Sequence, residues 1–183
     1  YGRGRIGRID FIDTSTHRVL GEVEVGVRPL AAVVSALGDR LYVVCGGSND
    51  LYVIDIAGRQ VIETLPVGQG PDAVALSPDG NTLYVSNSGT NDVSLVDLID
   101  LEELRRVGVG SKPFSIAVGQ NGFIFVVESG DKTLSLFSPD FEKVSSVNVG
   151  ERPIDIELSL DGRFAYVTAE QDNRVFVYEI ADN

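Results

Sequence analysis

Three cations recur in phase along this 183-residue chain. Arg28, Lys112 and Arg152 each stand directly before a proline, and Gly70 takes the same place before Pro71. If the loops that carry them meet on one face, they form a local anion-binding ring on a protein of net charge −12. Asp72, Glu151 and Asp155 lie beside them, and surface ion pairs of that kind neutralise charge for little stability. The competing reading is solvated loop charge.

Other reactive residue types are sparse. His17 is the single histidine, in the turn Asp13-Thr14-Ser15-Thr16-His17. General acid–base work needs a positioned partner and a shielded site, so an exposed turn residue is expected there. No second His or Cys stands at metal-ligand spacing. Cys45, the only cysteine, has its nearest cation, Arg40, beyond the other end of its strand and is expected to be a semi-buried structural thiol. Asp13, Asp55 and Asp97 recur at one position, with Glu179 in the last copy. A calcium site would require those carboxylates to converge. Placed in successive hairpins, they are instead expected to accept backbone N–H groups two residues on. No catalytic, cofactor-binding or metal-binding residue is therefore assigned.

The elements that must position these residues are short apolar runs separated by turns. In residues 67–97, Ala73–Leu76, Leu83–Val85 and Val93–Val96 are the runs, with Ser77-Pro78-Asp79-Gly80 and an Asn87–Asn91 segment between them. Runs of four to six residues rich in Val and Leu suit strands, and Pro and Gly supply the turn torsions. The pattern repeats with motif prolines at 29, 71, 113 and 153, spacings of 42, 42 and 40. A period near forty with about four strands predicts an all-β chain, a β-propeller of four-stranded antiparallel blades, because one blade alone cannot cover its faces.

These repeats resemble the YVTN-type bacterial and archaeal propeller repeat, related to surface-layer propellers. The resemblance rests on Val67-Gly68-Gln69-Gly70-Pro71, the SPDG turn at 77–80, Leu83-Tyr84-Val85-Ser86-Asn87, Val93-Ser94-Leu95-Val96-Asp97, and Tyr166-Val167-Thr168. Cys45 and Glu128 depart from the pattern where Asn87 stands in the second copy. The resemblance implies a propeller and an extracytoplasmic setting (periplasmic, secreted or cell surface). Its members include surface proteins, binding proteins and parts of enzymes.

Phasing divides the chain into a half blade at 1–25, holding third and fourth strands, complete blades at 26–67, 68–109 and 110–149, and an incomplete blade at 150–183. Such an arc is expected to belong to a wider ring of about six to eight blades, or to associate with itself through open blade edges. A start in mid-repeat without Met reads as a truncation.

Composition narrows the partners. An acidic surface with sequence pI 4.4 repels phosphate backbones and anionic membranes, so nucleic acid is set aside. No apolar run approaches the ~20 residues of a membrane helix. The expected function is a non-catalytic binding or structural module, recognising a protein or a small anionic ligand. The alternative is part of a propeller enzyme or cofactor-bearing subunit, lactonase-like or quinoprotein-dehydrogenase-like.

Overall fold

The local chemistry of the turns decides where each strand stops. After Leu76, the Ser77 hydroxyl bonds the Asp79 carboxylate and accepts the Thr82 N–H (2.9 Å), while Gly80 takes φ +73°. Asp161 and Ser159 repeat this arrangement at 2.5 Å, with Gly162 at φ +71°. At the other hairpins the recurrent aspartates act as expected. Asp97 Oδ1 accepts the N–H groups of Ile99 (2.6 Å) and Asp100 (3.0 Å), and Asp13 Oδ1 those of Ser15 (2.8 Å) and Thr16 (3.0 Å). Glu179 meets Arg163 at 3.4 Å, and the turn that follows it lies outside the described residues.

Residues 5–180 are described by the computed structural model. They hold seventeen strands. β1 (Ile6–Asp13) and β2 (Arg18–Val27) form a two-stranded leading sheet. The first blade is β3 (Pro29–Val34), β4 (Arg40–Cys45), β5 (Asp50–Asp55) and β6 (Gln60–Pro66). The second is β7 (Pro71–Leu76), β8 (Thr82–Asn87), β9 (Asp92–Asp97) and β10 (Glu102–Gly108). The third is β11 (Pro113–Val118), β12 (Ile124–Glu128), β13 (Thr133–Phe137) and β14 (Lys143–Asn148). The fourth contains β15 (Pro153–Leu158), β16 (Phe164–Ala169) and β17 (Arg174–Glu179). Every sheet is an antiparallel meander, and β3, β7, β11 and β15 lie side by side as the inner strands. This is a partial β-propeller.

Side chains alternate between the two faces of each strand, so a blade that stands between two others packs a neighbour on each side. Tyr42, Val44, Leu51 and Val53 of the first blade meet Leu83, Val85 and Val96 of the second. Tyr84, Val93 and Leu95 of the second meet Ile124, Val126 and Phe137 of the third. Phe125, Val127 and Leu134 then meet Ala165 and Val167 of the fourth. On the other flank Val23 and Val25 of β2 cover Val43, Cys45 and Ile54. The core is thus a series of seams, each stabilised by apolar burial worth about 25 cal/mol per Å².

Candidate functional site

Each inner strand is entered through one bent residue, and in three of the four that residue is the one the sequence marks as cationic. Arg28, Gly70, Lys112 and Arg152 have φ of 61°, 60°, 52° and 52°. A left-handed conformation costs a non-glycine residue roughly 1–2 kcal/mol. Backbone bonds hold it in place: the carbonyls of these four residues accept the N–H groups of Gly46, Ser88, Ser129 and Glu170 at 2.9, 2.9, 2.9 and 3.0 Å. The residue after the motif proline is then bulged out of the ladder in all four inner strands. Bent entry and bulge together give every blade the same frame at the same end of its inner strand.

Neighbouring blades lock that frame. Asn49 Oδ1 of the first blade accepts the Gly70 N–H (2.9 Å), and Asn91 Oδ1 of the second accepts the Lys112 N–H (2.8 Å). Asn91 itself has φ 57° and Asn173 φ 51°, so both turn the chain into a third strand. Asn91 also serves the next repeat, a role its sequence position does not disclose.

The side chains of Arg28, Lys112 and Arg152 are exposed and share the entry end of the arc. Arg152 pairs with Glu170 at 2.9 Å, and Glu151 turns to Lys132 at 2.6 Å. Asp155 accepts the Ser115 hydroxyl at 2.8 Å, and Asp72 keeps one buried carboxylate oxygen without a partner among the described residues. None of the three acids singled out from the sequence pairs with an entry cation. Among the described residues Arg28 and Lys112 form no ion pair.

Beneath the rim lies a polar position that the sequence registers only as a departure from pattern. Asn87 Nδ2 donates to Asp92 (2.7 Å) and Ser94 (2.9 Å), and the Ser94 hydroxyl accepts the Gly68 N–H (3.3 Å). In the third blade Glu128, 1% exposed, accepts Gly110 N–H (2.8 Å), Thr133 (2.7 Å) and Ser135 (2.6 Å) directly. A Cβ on Gly68 or Gly110 would collide with Asn87 or Glu128. Cys45 fills the place in the first blade and Ala169 in the fourth. Cys45 is fully buried, more than the semi-buried expectation, because β2 covers it; burial pushes its thiol pKa up and keeps it protonated. His17 is exposed at φ 56° in the β1–β2 hairpin. Among the described residues no three His, Cys, Asp or Glu side chains gather closely enough to hold a metal ion.

No family model and no curated protein matches the chain. Its fold is similar to that of solved propeller proteins. A functionally unknown protein from Desulfotomaculum acetoxidans superposes with a TM-score of 0.78 at 20% identity, over 90% of this chain and 55% of that one. The dihydro-heme d1 dehydrogenase NirN gives 0.78 at 16% identity, over 94% and 39%. A putative 6-phosphogluconolactonase from Bacteroides uniformis gives 0.77 at 14% identity, over 84% and 51%. The chain thus spans roughly half or less of these three structures, and likeness at such identities is likeness of fold.

Proposed function

We propose that this chain is a non-catalytic recognition module of the YVTN repeat type, which binds a partner through the entry rim of its blades. The observation that carries this reading is the repeated frame itself. The backbone at residues 28, 70, 112 and 152 is held identically, while the side chain there changes from arginine to glycine to lysine to arginine. A fixed scaffold with variable, outward side chains suits recognition. Arg28 and Lys112, unpaired among the described residues, give the rim a preference for anionic groups, a carboxylate-bearing protein segment or a small polyvalent anion. The YVTN resemblance also supports a location outside the cytoplasm.

The test removes the charges without disturbing the frame. Gly70 demonstrates that glycine fits this torsion, so the triple variant Arg28→Gly, Lys112→Gly, Arg152→Gly keeps the entry geometry. Calorimetric titration of the native chain with citrate and with tripolyphosphate is expected to give saturable, salt-sensitive binding that weakens at least tenfold in the variant. Equal affinities, or no binding by the native chain, would remove the anion reading. The fold is also that of a dehydrogenase and of a putative lactonase, which supports an enzymatic reading only at the level of architecture. A metal-content and visible-absorption measurement on the purified chain separates that reading from ours.

A further inference from the structure

The first blade departs from its neighbours at one hairpin, and the departures gather beside one seam. Its β3–β4 turn reads Ser35-Ala36-Leu37-Gly38-Asp39-Arg40 where the second blade reads Ser77-Pro78-Asp79-Gly80-Asn81-Thr82. Leu37 takes the place of the turn aspartate and is 89% exposed. The Ser35 hydroxyl donates to Asp39 instead, at 2.6 Å, which holds that carboxyl below its ordinary 3.8 and ionised at neutral pH. The other Asp39 oxygen accepts no hydrogen bond among the described residues. Arg40 stands where the later blades have Thr82, Phe123 and Phe164. Its half-buried guanidinium lies beside the Tyr42 phenol and donates across the seam to the Leu98 carbonyl at 3.5 Å. Arg40 forms no ion pair among the described residues, and its remaining N–H donors have no partner there. These groups open on a cavity of about 400 Å³ between the β3–β4 and β7–β8 hairpins, at the opposite end of the inner strands from the entry rim. Leu37, Leu98 and Ile99 give it apolar walls. Both blades that enclose it have four strands, and every residue of its wall is described.

We infer that this cavity is a binding site for a small zwitterion with an aliphatic side chain, an apolar α-amino acid. A guanidinium with unused N–H donors grips a carboxylate through two of them. The free oxygen of Asp39 accepts an ammonium group, and Leu37, Leu98 and Ile99 receive the side chain. Asp79 also borders the cavity, but its own turn occupies it: its oxygens accept the Ser77 hydroxyl and the backbone and side-chain N–H groups of Asn81. One cation and one anion are therefore left to be matched, which is the pattern of a zwitterion. A simple anion would face Asp39 and approach a chain of net charge −12. An uncharged apolar molecule would leave the half-buried Arg40 unanswered. At the next seam the corresponding positions are Asn81, Thr82 and Pro139, which offer no such pair of charges. The site is thus peculiar to one pair of blades, written into the turn where the first blade breaks the repeat.

L-leucine is the probe, titrated into the isotope-labelled full chain and followed by amide NMR shifts. Saturable shifts are expected, centred on Asp39, Arg40, Asn81 and Ile99. N-acetyl-L-leucine lacks the ammonium and L-leucinol lacks the carboxylate, and each should bind at least tenfold more weakly than leucine. Arg40→Met should weaken leucine at least tenfold. Asp39→Asn, at an exposed turn position, should do the same, and the amide spectrum of each variant shows whether it is folded. Absence of saturable shifts in the native chain overturns the inference, and so do shifts centred on the entry rim. N-acetyl-L-leucine binding as tightly as leucine also overturns it, since the site would then take a plain anion. So does a leucine affinity that Asp39→Asn leaves unchanged.

Discussion

Tyr84 and Tyr166 occupy the same register in the second and fourth blades, on strands with the same neighbours in their own sheets. One is 6% exposed and the other 39%. One strand over, Leu95 is 7% exposed and its counterpart Val177 is 57%. The residues barely differ; the difference is the blade that stands in front of them. The third blade covers Tyr84 and Leu95, and no described residue covers Tyr166 and Val177 to that extent. Burial in this fold therefore belongs to pairs of blades, and a repeat taken singly says little about it.

That contrast is open to attack by mutation. The largest effect is expected at a seam: Leu83→Ala, at a fully buried position between the first and second blades, should cost about 2–5 kcal/mol in urea unfolding. Val177→Ala should stay within about 0.5 kcal/mol. Similar losses at both positions would mean that the fourth blade is covered in solution after all.

A smaller loss is expected at the buried polar position. Glu128→Ala strands the Gly110 N–H and two hydroxyls, at about 1–3 kcal/mol. Glu128→Gln keeps an acceptor for the Gly110 N–H and should recover a good part of that loss. A glutamine variant no better than alanine would show that the charge, and not the acceptor, holds the knot.

The mildest test concerns pH. The Ser77 hydroxyl holds the Asp79 carboxyl below its ordinary value of 3.8, and Ser159 does the same for Asp161. A carboxylate whose folded pKa lies below its unfolded one stabilises fully above the unfolded value, and that contribution fades as pH falls through the folded value. Ser77→Ala should raise the Asp79 titration midpoint, followed by carboxyl NMR shifts, towards 3.8. An unmoved midpoint would assign the shift to the backbone N–H of Asn81 instead.

The fold was legible because its determinants are local. The Ser-Pro-Asp-Gly turn, the recurrent Asp97-type caps and the period of the motif prolines all report on chain within one repeat. The entry cations were legible as positions but not as conformations; Gly70 among them was the one sign that the site demands positive φ. Glu128 could be seen as a departure from Asn87, yet its meaning depends on Gly110, Thr133 and Ser135 arriving around it.

Asn49 and Asn91 each reach across one seam to fix the start of the next blade, and no hydrogen bond among the described residues reaches over more than one seam; that from Arg40 to Leu98 likewise joins adjacent blades. Order in such a molecule passes hand to hand. Amide protons should therefore exchange with solvent on a gradient, slowest in β8 and β9, where both flanks are occupied, and fastest in β1 and β17. The arc behaves as a row of coupled units whose cooperativity is set by its seams, and its ends fray before its middle melts.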